Sequence, residues 1–145
     1  MREFIRSYSE SMDPVFFDKL IDDVKDSGDA MPALFAAIAR GDFEAMAQYL
    51  TEDAELVIAG FEGMNGAWRG RDAVVAATRR NFGLIAEQRP VIEHQITDGD
   101  VTALLFRESG MRRDSRQRYS IRVSMWVTTR AGKVCRVEEI AASCE

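Results

Sequence analysis

The sequence is poor in the residues that mark several common protein classes. Its 145 residues include two cysteines and one histidine, too few for a disulfide framework or a Cys/His zinc cluster. No apolar run approaches the ~20 residues of a membrane helix, and the first residues carry charge where a signal peptide is apolar. We therefore expect a cytoplasmic protein with no metal or other cofactor and no membrane partner.

Positive charge is also scarce. Lysine and arginine number 19 against 24 acidic residues, which gives a net charge of −5 and argues against a nucleic-acid partner. A basic run at 112–118 is typical of a solvated turn. The 46% hydrophobic content instead predicts a globular domain with one core, and a small molecule is the expected partner.

The patterning divides the chain into two regions. Residues 1–29 form an N-terminal extension, in which Asp13-Pro14 begins an amphipathic helix. That helix either packs on the domain or a second copy, or covers a pocket. Residues 30–145 form the main domain. Two short helices meet at Gly41-Asp42, and they are followed by a strand at 55–59, a loop at 60–70 and a helix from Arg71 to about Ala86.

From residue 90 the hydrophobic period changes from helical to two. This predicts strands at 90–97, 101–108, 118–129 and 133–141, joined by turns at 98–100, 109–117 and 130–132. Helices followed by antiparallel strands indicate an α+β fold with helices on one face of a sheet. Because sheets twist and curl, we expect a cone with an apolar interior that suits a small ligand.

Three motifs carry a resemblance to a known family. Residues 36–43 (AAIARGDF), 50–56 (LTEDAEL) and 68–74 (WRGRDAV), with the terminal hairpin at 125–140, resemble the nuclear transport factor 2-like superfamily, and in particular its SnoaL-like and ketosteroid-isomerase-like branches. The resemblance implies a cone-shaped, curved antiparallel sheet with a mixed edge that wraps the N-terminal helices. It also implies a pocket between sheet and helices and a homodimer through the outer sheet face.

The same resemblance argues against classical ketosteroid isomerisation. That chemistry needs a carboxylate base and an oxyanion hole of a tyrosine and a protonated acid. Counted from the motifs, those positions fall on Leu34, Ile58 and Val123, which are all aliphatic. Proton abstraction and enolate stabilisation therefore need other residues here.

His94 and Tyr119 are the residues we expect to be catalytic. The alternation Ile92, His94, Ile96 predicts an imidazole that faces the interior, where it serves as acid or base or is a partly buried histidine bonded to a neighbour. Tyr119 shares its strand face with Val123 and either orients a ligand or lies near the rim. The sequence leaves open which faces Glu108, Glu138 and Glu139 occupy.

An apolar ligand is expected to contact Phe35, Ile58, Phe61, Trp68, Val123 and Met125. The aromatic residues of the 60–70 loop either touch that ligand or fix the loop to the core. Trp126 is predicted on the outer sheet face, which suits a dimer interface. Two functions follow: a cofactor-independent isomerase, cyclase or dehydratase that uses His94, or a non-catalytic ligand-binding or dimerisation module whose cavity is filled by its own side chains.

Overall fold

The computed structural model describes residues 30–143, so the helix predicted after Asp13 lies outside the described residues. Three helices are present in this range: α1 (Ala30–Ala39), α2 (Phe43–Gln48) and α3 (Arg71–Phe82). Six strands form one sheet: β1 (Leu50–Ala59), β2 (Gly66–Arg69), β3 (Ile85–Asp98), β4 (Val101–Arg112), β5 (Arg118–Arg130) and β6 (Lys133–Ser143). No helix within residues 30–143 is long and apolar enough to cross a membrane.

The sheet has the order β2-β1-β6-β5-β4-β3. Neighbouring strands in the sheet pair antiparallel, except for β1 and β6, which pair parallel. The helices cover one face, here called the inner face, and the opposite face is called the outer face. This arrangement confirms the predicted α+β fold, a curved sheet with a mixed edge around helices.

The predicted break between the first two helices is confirmed in detail. Gly41 adopts a φ of 69°, which suits glycine, and the Asp42 carboxylate accepts a hydrogen bond from the Ala45 N–H at 3.1 Å as the cap of α2. The turn allows α1 and α2 to bury Leu34 and Met46 together against the sheet. On the sheet side, Val123 is fully buried.

The end of the third helix was predicted wrongly. The apolar pattern indicated a helix to about Ala86, but α3 ends at Phe82 and Gly83 caps it, its N–H donating to the Arg79 carbonyl. Residues 85–98 instead form β3, which pairs with β4 from end to end with register shifts after Ala86 and after Ile92. The strand predicted to begin at Pro90 begins at Ile85. Pro90 lies inside β3, where proline is tolerated because β3 is an edge strand.

Other boundaries also differ from the predictions. Strand β1 begins at Leu50 rather than Glu55, and β2 lies within the segment predicted as a loop. Strand β4 continues to Arg112, which leaves a shorter turn before β5. The longer strands supply more inner-face positions, and the candidate site depends on these.

Candidate functional site

A cavity of about 200 Å³ lies between the helices and the inner face of the sheet. Aliphatic and aromatic side chains from α1, α2, α3 and the central strands form most of its wall. Lysine, arginine and histidine do not contribute to the described lining. The polar lining consists of Thr78, Asn81, Gln88, Glu108 and Glu139.

Glu108 is placed in this cavity by strand alternation. Leu104, Phe106 and Glu108 follow at intervals of two along β4 and all line the cavity. The Glu108 side chain is only 6% exposed. Its Oε1 accepts a hydrogen bond from Gln88 Nε2 at 2.6 Å, and its Oε2 accepts one from the Tyr119 hydroxyl at 2.8 Å. Burial raises the pKa of Glu108, while these two hydrogen bonds act in the opposite direction.

Tyr119 reaches Glu108 because of a missing side chain. Tyr119 lies opposite Gly110 in the β4–β5 pair, and a Cβ at position 110 would be 2.7 Å from the Tyr119 hydroxyl. The glycine therefore leaves the space in which the phenol lies across β4. Burial first, and then the neighbouring Glu108 carboxylate, raise the pKa of Tyr119 far above its usual value. The phenol is thus a hydrogen-bond donor at any physiological pH.

Glu139 lies in the same cavity and in a different environment. It is on the inner face of β6, opposite Met125, and is half-buried. Within residues 30–143, no group donates a hydrogen bond to its carboxyl group. Burial, and secondarily the charge of Glu108, raise the pKa of Glu139 to about 7. A carboxyl group that titrates near neutral pH can both give and take a proton under physiological conditions.

Helix α3 supplies two further polar groups to the wall. The Thr78 hydroxyl donates to the Val74 carbonyl of its own helix at 2.9 Å. The Asn81 side-chain oxygen accepts from the Arg80 guanidinium at 3.3 Å. The Asn81 Nδ2 and the Gln88 Oε1 are buried and have no hydrogen-bond partner within the described part of the chain. Asn81 and Gln88 thus add an unsatisfied donor and an unsatisfied acceptor to the polar part of the lining.

The segment between β1 and β2 covers one side of the cavity. Phe61 and Met64 line it, and the Phe61 N–H donates to Asn65 Oδ1 at 2.8 Å. Arg112, at the end of β4, donates from Nη1 to the Glu62 carbonyl at 2.7 Å. Arg112, the first residue of the basic run at 112–118, thus holds this segment in place.

The residues expected to contact a ligand occupy two kinds of position. Phe35, Ile58, Phe61 and Met125 line the cavity. Val123 is in the core, with no exposed surface. Trp68 packs against the core, with the Arg80 guanidinium 5.6 Å from its ring centroid. Neither of these two is part of the cavity wall, so any effect they have on a ligand is indirect.

The prediction that His94 faces the interior was wrong. A bulge between Ile92 and His94 shifts the register, so that Ile92 pairs with Phe106 but His94 pairs with Leu105. Directly opposed residues share a face, and a one-residue shift exchanges the two faces. His94 is consequently exposed on the outer face and is not part of the cavity wall.

Sequence reasoning did not identify Gln88, and it left the faces of Glu108 and Glu139 open. The alternation from Leu104 through Phe106 was a usable signal for Glu108. Gln88 had none, because it lies between the helix predicted to about Ala86 and the strand predicted from residue 90, in neither of them. Among the described residues, no three His, Cys, Asp or Glu side chains form a group that could hold a metal ion.

Comparisons with known proteins identify the family. Residues 32–137 match the model of the SnoaL-like domain, so the chain belongs to this family of nuclear transport factor 2-like proteins. No curated protein sequence matches the chain.

Solved structures show the same fold. A nuclear transport factor 2-like protein from Burkholderia xenovorans has a TM-score of 0.68 and 20% identity over 78% of this chain and 86% of its own. A protein with a ketosteroid isomerase-like fold from Catenulispora acidiphila, in complex with trimethylamine, has a TM-score of 0.63 and 14% identity over 76% of this chain and 82% of its own. TerC, co-crystallised with polyporic acid, has a TM-score of 0.65 and 19% identity over 78% of this chain and 88% of its own. At these identities the likeness concerns the fold alone.

Proposed function

We propose that this chain binds a small, largely apolar molecule in its cavity and transfers a proton to or from it without a cofactor. Isomerisation, cyclisation and dehydration are the reaction types that such a transfer serves. The observation that carries the proposal is the position of Glu139 in a wall that is otherwise mostly apolar. A carboxyl group there has its pKa raised to about 7, near the value that is best for acid–base catalysis at neutral pH.

The size of the cavity limits the ligand. At about 200 Å³ it is smaller than the roughly 300–1,000 Å³ of pockets that hold drug-sized molecules, and larger than a site for one or two waters. We expect a ligand of modest size whose apolar part contacts Phe35, Ile58, Phe61 and Met125. Trp68 and Val123 support this wall from behind.

The roles of the polar residues follow from their contacts. Glu139 takes the acid–base role that the sequence suggested for His94. Tyr119 is a positioning residue, because its hydroxyl bonds to Glu108 and acts through it. Glu108 sets the charge that Glu139 experiences.

Deuterium exchange tests this proposal, because it reports proton transfer whichever net reaction follows. Small molecules that copurify with the protein are released, identified by mass spectrometry and returned to fresh protein in D₂O. Wild-type protein is expected to exchange one ligand hydrogen for deuterium, and Glu139→Gln to slow this exchange by at least about 100-fold, a typical loss for an acid–base group.

The matched control is Glu138→Gln. Glu138 is the adjacent residue on the outer face, where it accepts a hydrogen bond from Arg136 at 2.6 Å. This variant is expected to exchange at the wild-type rate. A wild-type protein that binds the released molecule but exchanges no hydrogen contradicts the proposal, as does an equal loss in both variants.

A non-catalytic ligand-binding module is the second candidate. It is favoured by the fold relatives bound to trimethylamine and polyporic acid, since binding alone accounts for such complexes. Under this alternative Glu139→Gln changes affinity, and exchange is absent from every variant. A cavity filled by the chain's own side chains is less compatible with a volume of about 200 Å³.

We also propose a homodimer through the outer sheet face. Trp126 and Ile140 are neighbours there and are 47% and 46% exposed, while Ile96 is 68% exposed. Apolar residues that cluster on one face favour a covered surface. Sedimentation at micromolar concentration tests for this dimer. The cytoplasmic setting that the cysteine content suggested stays a prediction, which fractionation of the source cells would test.

A further inference from the structure

The two carboxyl groups of the cavity differ in their hydrogen bonds. Each Glu108 oxygen accepts one, from Gln88 Nε2 at 2.6 Å and from the Tyr119 hydroxyl at 2.8 Å. The Glu139 carboxyl group accepts none from the described residues. Hydrogen bonds to a carboxylate favour its ionised form. Glu108 is buried and Glu139 is half-buried. Because burial alone favours the neutral form, ionisation of Glu108 depends on its two donors.

The hydrogen bond from Tyr119 to Glu108 always has the phenol as the donor. The phenol of Tyr119 keeps its proton, and Gly110 provides the space that lets its hydroxyl reach Glu108. Among residues 30–143, the titratable residues of the wall are Glu108 and Glu139, so no cation of this part of the chain competes for the pair there. Three guanidinium groups bond near the cavity. Arg80 donates to the Asn81 side chain, Arg113 to the Ile85 carbonyl, and Arg112 to the Glu62 carbonyl and the Asp114 carboxylate. In none of these contacts is Glu108 or Glu139 the acceptor.

We propose that, at neutral pH, Glu108 is the ionised member of the pair and Glu139 holds the proton, so that the reaction begins with protonation of the ligand by Glu139. This inference rests on the proposed function and assigns its direction. A second ionisation is opposed because the Glu108 carboxylate repels a charge on Glu139. The pair therefore begins each cycle with one proton, held by the carboxyl group that has no donor among the described residues.

The proton transfer defines the class of ligand. The O–H bond of Glu139 breaks, its electron pair stays on the carboxylate, and a new O–H bond forms on a carbonyl or hydroxyl oxygen of the ligand. The Glu139 carboxylate then takes a proton from a carbon of the same molecule. The electron pair of the C–H bond becomes part of a C=C bond. From a protonated carbonyl the product is an enol, and from a protonated hydroxyl group water departs with the electron pair of the C–O bond. Glu139 is thereby restored without another reactant.

The same arrangement selects by charge. The lining formed by the described residues contains two acidic groups and no basic group, so an anionic ligand would add a second negative charge beside the Glu108 carboxylate in a site of low dielectric constant. We expect a neutral molecule with an oxygen acceptor at the Glu139 end. A carboxylate of equal size and shape is expected to bind at least about 100-fold more weakly.

Site-resolved titration tests the order of ionisation. Protein labelled with ¹³C at the glutamate carboxyl carbons is followed by NMR from pH 4 to 9, with Glu108→Gln and Glu139→Gln used to assign the two resonances. We expect Glu108 to ionise at lower pH than Glu139. The reverse order in the wild-type protein overturns the inference, whatever the protein does with a ligand.

Tyr119→Phe supplies a readout that a purely structural role would not move. Loss of one donor is expected to raise the pKa of Glu108. The same variant is expected to lower the pKa of Glu139. Glu108 is then less ionised over the pH range in which Glu139 titrates, so it opposes the negative charge on Glu139 less. Gly110→Ala, which displaces the phenol, is expected to give the same pair of opposite shifts, and His94→Gln to give neither. Shifts in the same direction, or none, overturn the inference.

The pH dependence of deuterium exchange separates this inference from the proposed function. With Glu139 as the initial acid, exchange into a neutral ketone found among the copurifying molecules slows as pH rises through the titration of Glu139. If exchange becomes faster over that range, Glu139 begins as a base, and the inference fails while the proposed function survives. Absence of exchange removes the proposed function, and the titration order is still measured.

Discussion

Glu138 and Glu139 are adjacent in β6 and lie on opposite faces of one sheet. On the outer face, Glu138 accepts a 2.6 Å hydrogen bond from Arg136, which also donates to Glu55. On the inner face, Glu139 has no donor within the described residues and its pKa is raised to about 7. The two residues have the same chemistry, and their behaviour differs because one face meets water and arginine and the other a largely apolar cavity. A carboxyl group left unpaired in such a cavity costs stability, which is a reason to relate it to function.

The largest effect that this comparison predicts is a fall in stability between about pH 5 and 7. The pKa of Glu139 is raised in the folded state to about 7 from 4.5, so over this interval the folded protein binds more protons than the unfolded chain. Its free energy of unfolding must then decrease as pH rises. The full shift corresponds to a loss of up to about 3 kcal/mol, complete near the folded-state pKa. The raised pKa of Glu108 acts with the same sign.

Urea denaturation at pH 5, 6, 7 and 8 measures this slope. Glu139→Gln is expected to flatten it, and Glu138→Gln to leave it unchanged. The lowered pKa values of Asp53 and Asp114 do not interfere, because those exposed groups titrate below this range. If the wild-type protein is equally stable at pH 5 and pH 7, the pKa of Glu139 is not raised in the folded state, and the inner face does not shield its carboxyl group from water.

A smaller effect is expected on the outer face. Trp126 is 47% exposed, and its indole N–H donates to the Ser124 hydroxyl at 3.0 Å, so the ring has a fixed orientation. If this face forms the dimer, Trp126→Ala should weaken association by about 2 kcal/mol, or roughly 30-fold in Kd, as for a central aromatic residue.

Analytical ultracentrifugation between 0.1 and 50 µM compares wild type with Trp126→Ala. Lys133→Ala, at an exposed hairpin position, is the control and should associate like the wild type. A wild-type protein that is monomeric throughout this range contradicts the homodimer. A dimer that Trp126→Ala leaves intact would use another surface.

The helix break, the hairpins and the strand alternation made the fold predictable from the sequence, because each is a local pattern. The faces of Glu138 and Glu139 were not predictable. Counting back from the turn, with Arg130 opposite Lys133, would place Glu138 opposite Met125 on the inner face. A register shift between Thr128 and Thr129 places Glu139 there instead. Such bulges depend on the packing of the whole sheet, and each one exchanges the inner and outer residues beyond it.

The smallest expected effect concerns His94, where a bulge of the same kind moved the predicted catalytic residue to the outer face. His94→Gln should change the rate of deuterium exchange less than about two-fold, and the free energy of unfolding by less than about 0.5 kcal/mol, as is usual for exposed positions. Exchange kinetics and urea denaturation on the same preparation measure both quantities. A ten-fold loss of exchange with unchanged stability would mean that the imidazole reaches the ligand. The register of β3 would then have to differ from the one described, because no exposed side chain on the outer face can contact a molecule held against the inner face.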